Sequence, residues 1–264
     1  SVINQGSLIA NGSDGKGGTV ALIAARIVNE GTITADHGRV GMAAGSKILL
    51  DMGGPTLLQV EEGALDVLIE QGGAVRADGG RILLTAKAAN ELRTTVINHT
   101  GISSAKSLSA DETGEIVLNG GDNGSVVVSG RLDVSSSMDK GGKIQITGTD
   151  IQLKSGSTLY ASGLTGGGKV LVGGDWQGSG TLQQATTVTM EQGATIDASA
   201  TDMGDGGKVV LWSDIHNSES ITTVKGLIKA AAGLRGGDGG KVETSGRTLD
   251  VEGASVLAGT AQGN

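Results

Sequence analysis

The chain contains no cysteine and no phenylalanine, and its 264 residues include one proline, one tyrosine and two tryptophans. Without phenyl rings, any core must be aliphatic. Without thiols, a disulfide scaffold is excluded. For an exported chain that absence has a physical sense, because a thread crossing an outer membrane unfolded cannot carry disulfides closed beforehand. A short-stranded aliphatic fold equally has no need of them. No apolar run approaches the length of about 18 residues that marks a membrane-spanning helix. The opening SVINQGSLIA has no charged region followed by an apolar one and does not read as a signal peptide, which leaves a cytosolic chain or a piece of a longer one. Basic charge is in deficit: 20 Lys and Arg against 28 Asp and Glu give a net charge of −8, and no basic cluster stands beside aromatics. A nucleic-acid partner would want the opposite field and stacking platforms, so nucleic acid is not expected.

What the chain has is glycine, 48 residues of it. That share falls short of the one-third and the strict triplet of collagen, and proline is almost absent. Each interior glycine costs a helix about 1 kcal/mol relative to alanine, so short strands and tight turns are favoured throughout. The longest glycine-free run, 81–100, contains AKAANELR, the one stretch predicted as a short helix. With 37% apolar residues besides glycine, the chain can bury a core and should fold.

Two short phrases alternate along the sequence. The first is a glycine, an alternating strand ending in Ala or Ser, and a polar turn: QGSLIANGSDG, EGTITADHG, GGAVRADGG, TGISSAKS, SGRLDVSSSMDKG, SGSTLYASGLTGG, QGATIDASATDMGDG, KGLIKAAAGLRGGDG and EGASVLAGT. The second follows it: GGTVALIA, HGRVGMAAG, GGRILLTA, TGEIVLNGG, GGKIQITG, GGKVLVGG, GGKVVLWS and GGKVETSG. A third apolar run, such as RIVNE or KILLD, lies between some of these pairs. Each phrase turns side chains inward at period two, as with Leu8 and Ala10, or Val20 and Leu22. One such coil cannot bury its own apolar face; stacked coils can, with strands paired in parallel about 4.8 Å apart. The pattern predicts an all-β right-handed parallel β-helix, a single unit over 1–264. A base coil near 20 residues implies about 11–13 coils and a rod of roughly 50–60 Å. The stretches 87–112 and 175–192 are expected as extra-helical insertions. Corner glycines are expected to supply positive φ, and Asn11, Asp36, Asp78, Asp139 and Asp205 suit the same turns.

The ordered phrases VINQGSLIA, GGTVALIA, RIVNEGTITAD, GGRILLTAKAANELRTTVINHTGISSA, GGGKVLVGGDWQGSGTLQQATTVTMEQGATIDASATDMGDGGKVVLWSD and GGDGGKVETSGRTLDVEG resemble segments of the large exported adhesins of two-partner secretion, the filamentous haemagglutinin family. The resemblance covers nearly the whole chain. It implies a secreted or cell-surface bacterial adhesin with a β-helical shaft, exported through an outer-membrane pore partner. The family's amino-terminal Asn-Pro-Asn-type motif is not visible, since the only proline is Pro55. The expectation is therefore a shaft segment downstream of the secretion domain, attaching to cells, surfaces or matrix exopolysaccharide, to host glycan, or to another adhesin copy.

Two other readings stay open: a β-helical polysaccharide lyase or glycosidase, and the stalk of a contact-dependent growth inhibition toxin. Catalysis on such a fold needs clustered carboxylates. The candidates are Asp175, Asp197, Asp202, Asp205 and Asp214, but turn chemistry in glycine-rich segments accounts for each of them. No catalytic residue is assigned. His37, His99 and His216 share no metal-ligand spacing and read as solvated or turn residues. GGDGG, 236–240, lacks the repeated register of a calcium-binding nonapeptide, and GLTGGGKV, 163–170, runs into a strand where a phosphate loop would open a helix. Neither a metal nor a cofactor is expected. Trp176, Tyr160 and Trp212 are the candidates for glycan contact, by stacking on sugar rings if exposed; buried, they are packing. The sequons at Asn11, Asn98 and Asn123 could accept sugars in a glycosylated adhesin.

Overall fold

A computed structural model describes residues 1–10, 12, 16–51, 58–89, 94–109 and 113–260. Its strands form three long parallel sheets. Sheet A has nine strands, from Val2–Asn4 to Thr248–Asp250; sheet B has nine, from Ser7–Ile9 to Ser255–Leu257; sheet C has eight, from Thr19–Ala24 to Lys241–Ser245. The chain visits A, B and C in turn and then steps up one rung, which makes a parallel β-helix.

The two repeating phrases map onto two of the three sheets. All nine copies of the first phrase carry a strand of sheet B, and all eight copies of the second carry a strand of sheet C. The described residues form nine rungs, not 11–13, and these stack to about 40 Å at the usual strand spacing. The overcount comes from taking the shortest step, from Val20 to its partner Val40, as the length of every coil. Other steps from rung to rung are longer, as the partners Ile3 with Val28 and Val28 with Glu70 show.

Of the two predicted insertions, the first carries strands of the coils, whereas the second is an excursion as far as residue 186 and regular only at its end. Within 87–112, Thr94–His99 and Ile102–Ser104 are strands of sheets A and B, and within 175–192, Thr187–Met190 belongs to sheet A. Alternation weakened by polar residues conceals these strands in the sequence. KILLD departs in the other direction. Lys47–Leu50 pairs antiparallel with Leu58–Glu62 and forms a hairpin outside the coils. Of the predicted helix, Ala86 ends a strand and Ala88 bridges to Ala64, while 90–93 lie outside the described residues.

The core is a set of single-residue columns. In sheet C, Val40, Ile82, Ile116, Ile144, Val170 and Val209 stack inward in register, and Met42, Leu84, Leu118, Ile146, Val172 and Leu211 form the next inward column. Past six of the nine sheet B strands comes a buried alanine facing in, Ala35, Ala77, Ala105, Ala161, Ala198 or Ala230, where the chain bends toward sheet C.

Corner glycines serve spacing more than dihedral freedom. None of Gly38, Gly80, Gly142, Gly168 or Gly207 has positive φ. A Cβ on Gly80 would lie 2.0 Å from the carbonyl oxygen of Gly38 one rung away, and one on Gly142 would lie 2.2 Å from that of Gly114. Positive φ is found instead at neighbouring turn glycines such as Gly79 (φ 74°), Gly121 (φ 67°) and Gly204 (φ 102°), while at these five positions rungs approach too closely for any side chain. The turn aspartates also act between rungs. Asp36 accepts the backbone N–H of Asp78, Asp78 that of Lys106, and Asp205 that of Asp238.

One interior column of sheet A is polar over its first four rungs. Asn4 donates to Asn29 (2.7 Å), Asn29 to Gln71 (2.6 Å) and Gln71 to the carbonyl of Gly73 (3.0 Å), so each buried amide is satisfied. His99 continues the column, fully buried, with Nε2 2.8 Å from the Ser103 hydroxyl. This corrects the reading of His99 as solvated; His37 and His216 are exposed. Burial lowers the His99 pKa from 6.5 to about 4, against a smaller opposing effect of its own backbone.

Two outcomes are expected. The unfolded chain takes up the His99 proton below pH 6.5 while the folded chain resists it until about pH 4, so stability from this group is complete above pH 6.5 and declines across that window, by about 3 kcal/mol in all. Urea unfolding of the wild type and His99→Gln as a function of pH checks this: their stability difference should change over that range. Secondly, Gly142→Ala should cost roughly 3 kcal/mol or more through its clash, while Gly156→Ala, at φ +85° in open space, should cost only about 1 kcal/mol. Thermal melts of the two variants decide it.

Candidate functional site

Sheet C is the sheet whose outer face is built upon. At one end the hairpin lies across it, with Leu58 buried against Ala43, Leu83 and Val117 on three successive rungs. At the other end the loop 173–186 folds back over it. Asp175 accepts the N–H of Trp176 (2.7 Å) and starts one turn of 3₁₀ helix, Trp176–Gly178. The N–H of Gln177 is held by Glu243 (2.8 Å), two rungs along. Between hairpin and loop lies an open groove of about 470 Å³, floored by Leu83, Val117 and Gln145 and walled by Val60 on one side and Leu182 and Gln183 on the other.

The aromatic candidates separate. Trp212 is 4% exposed: it packs with Leu171 and Val210 beneath the loop, and its indole N–H donates to Gln184 (2.8 Å). Gly174 and Gly178 are glycines because a Cβ on either would come within 2.6 Å of the indole ring. Trp212 therefore presents no face for a sugar. Trp176 is half-buried on the same cluster, with the Lys208 ammonium 5.3 Å above its ring. Tyr160 lies on sheet B, away from this groove, under the Arg131 guanidinium 4.5 Å from its centroid. Arg131 also pairs with Asp133 (2.5 Å). Burial works against the charge on Asp133, yet the Ser135 hydroxyl, Arg131, the Ser135 N–H and Lys106 together hold its pKa below the ordinary carboxylate value.

The five candidate acids are each engaged by neighbours. Asp175 caps the short helix, Asp197 accepts the Ser199 N–H (3.0 Å) and faces Lys229 (3.8 Å), Asp202 pairs with Arg235, Asp205 bridges to the next rung, and Asp214 accepts the His216 N–H (2.9 Å). Among the described residues no three His, Asp or Glu side chains group as a metal site. Asn98 and Asn123 are half-buried, and Asn11 lies outside the described residues.

No family model and no curated protein matches the chain. Among solved structures, it is similar to the crystal structure of the HMW1 secretion domain from Haemophilus influenzae, with 31% sequence identity and a TM-score of 0.78. The match takes in 98% of this chain and 64% of that one. The resemblance is thus to a secretion domain. No helix among the described residues is long and apolar enough to cross a membrane.

One feature of sheet C is missed by reading the sequence for local clusters. The first outward position of successive rungs carries Lys143, Lys169, Lys208 and Lys241, far apart in the chain but adjacent in space. Its signal is the Gly-Gly-Lys that opens the last four copies of the second phrase.

Trp212→Ala should destabilise the chain by about 3–5 kcal/mol, and Trp176→Ala by clearly less, because only the first empties a closed site. Urea denaturation of the two variants measures the difference.

Proposed function

We propose that this chain is a β-helical segment of a bacterial protein exported by two-partner secretion, acting by form and surface and not by catalysis, and that it belongs to the secretion domain itself. The observation that carries the reading is the match of 98% of the chain within a secretion domain at 31% identity. It favours a position inside such a domain over the expected shaft downstream of it. The chain spans 64% of the length of that domain, so the activity and partners of the whole protein are part of the proposal.

The physics of the fold suits export. Every rung adds ladder hydrogen bonds and aliphatic burial against the rung before it, so folding proceeds layer by layer as a chain emerges, with no disulfide to close. The partner is an outer-membrane pore, and the destination is the cell surface or the medium. The outer faces then serve attachment to a surface, a matrix exopolysaccharide or a host glycan, as in an adhesin.

Deleting residues 1–264 from the parent protein, co-expressed with a pore of this class, tests the assignment. The medium and cell surface should lose the parent protein. Export at the wild-type level after deletion would return the segment to the shaft, and retention of the intact parent inside the cell with the pore present would overturn the export reading.

A further inference from the structure

Elsewhere on this rod, cations are matched to carboxylates one rung away: Arg26 with Glu70, Arg76 with Asp36, Lys154 with Glu191, Lys225 with Asp250, Lys229 with Asp197 and Arg235 with Asp202. The lysine column of sheet C breaks that pattern. Lys143, Lys169, Lys208 and Lys241 occupy one register position on four successive rungs, about 4.8 Å apart. Like charges facing each other across a ladder are destabilising. No other strand column among the described residues stacks four cations, and this one does so on a chain of net charge −8.

Direct ion pairing reaches only its first member. Lys143 reaches Glu115 at 3.3 Å, but Glu115 is shared with Arg81 at 2.8 Å. Lys169, Lys208 and Lys241 make no ion pair with a described carboxylate. Asp139 is bonded to the Thr165 hydroxyl, Asp175 to the Trp176 N–H, Asp205 to the Asp238 N–H and Glu243 to the Gln177 N–H.

The column is flanked by concave surface on both sides. Toward the loop, a cavity of about 380 Å³ is lined by Lys143, Lys169, Lys208, Gln145 and Thr181, with one acid, Asp175, against these three lysines. Toward the corner, a second of about 430 Å³ is floored by the bare backbone of Gly142 and Gly168 beside Lys140.

We infer that this lysine column is a binding site for a linear acidic polysaccharide lying along the rod axis. The chemistry favours that class. Four compact ammonium groups, spaced by about the length of one sugar residue, meet a polymer carrying one carboxylate per sugar, charge for charge. Gln145 and Thr181 supply hydrogen bonds to hydroxyls. A single-stranded nucleic acid would need free aromatic faces, whereas Trp212 is buried and Lys208 covers the Trp176 ring. The inference deepens the attachment half of the reading above; it does not need the export half.

The test uses the purified chain and uronate oligomers from alginate, with neutral dextran oligomers as control, followed by calorimetry at low and raised salt. The chain should bind the uronate oligomers and not dextran, more weakly as salt rises, with affinity climbing up to about four sugars. Replacing Lys169, Lys208 and Lys241 together by Gln should weaken binding at least about tenfold. Lys169→Glu should reduce binding while raising the melting temperature at low salt, because it inserts an acid between two lysines; a merely structural column would leave binding unmoved. Unchanged affinity in both variants, no binding by the wild type at low salt, or equal binding of an oligothymidylate would each overturn the assignment. Because no pore or cell is involved, failure here leaves the export reading standing, and failure of export leaves this site standing.

Discussion

Every level of this structure depends on one distance, the separation of parallel strands by about 4.8 Å. Where strands pair, that spacing gives hydrogen bonds. Where the chain turns between sheets the spacing must still be kept, and there backbone carbonyls come so near the next rung that a Cβ has no room, as at Gly80 above Gly38 and Gly142 above Gly114. The same limit explains the aliphatic interior. Columns of Ile, Val, Leu and Ala repeat at rung height without forcing sheets apart, and the indoles sit outside the coils.

A second consequence concerns polar and charged groups. A side chain's nearest neighbour is the residue at the same register one rung away, a whole coil distant in sequence, as Ile3 is from Val28 and Val28 from Glu70. Pairing is therefore decided column by column. The amides of Asn4, Asn29 and Gln71 satisfy one another in a closed interior, where an unpaired one would cost about 1–3 kcal/mol. On the outer faces, alternation of sign along a column gives ion pairs, and repetition of sign gives a field. The lysine column of sheet C is the second case.

The coil presents a similar outline at every level, so one stretch of the rod is told from another by what is added to the repeat and by which residues repeat on its outer faces. Here the departures gather on sheet C. The hairpin Lys47–Leu50 with Leu58–Glu62 and the loop over Trp212 both seal apolar outward residues that would otherwise face water, and between them they leave a groove. The likeness to a secretion domain takes in 98% of the chain.

The phrases that open with glycine and run at period two identify the strands of sheets B and C, because inward alternation and corner glycine are local demands. Sheet A is less legible, with polar residues such as Asn29, Gln71 and His99 facing in, and so the strand Thr94–His99 is taken for part of an insertion. By itself, then, the order of residues determined an aliphatic, disulfide-free, parallel β-helix, since each coil needs an identical neighbour to bury its face. Only the tertiary structure decided which residues meet between rungs: the burial of His99 and Trp212, the hairpin on sheet C and the lysine column. The reason is that stacking joins residues far apart in the chain, and their register depends on every excursion between them.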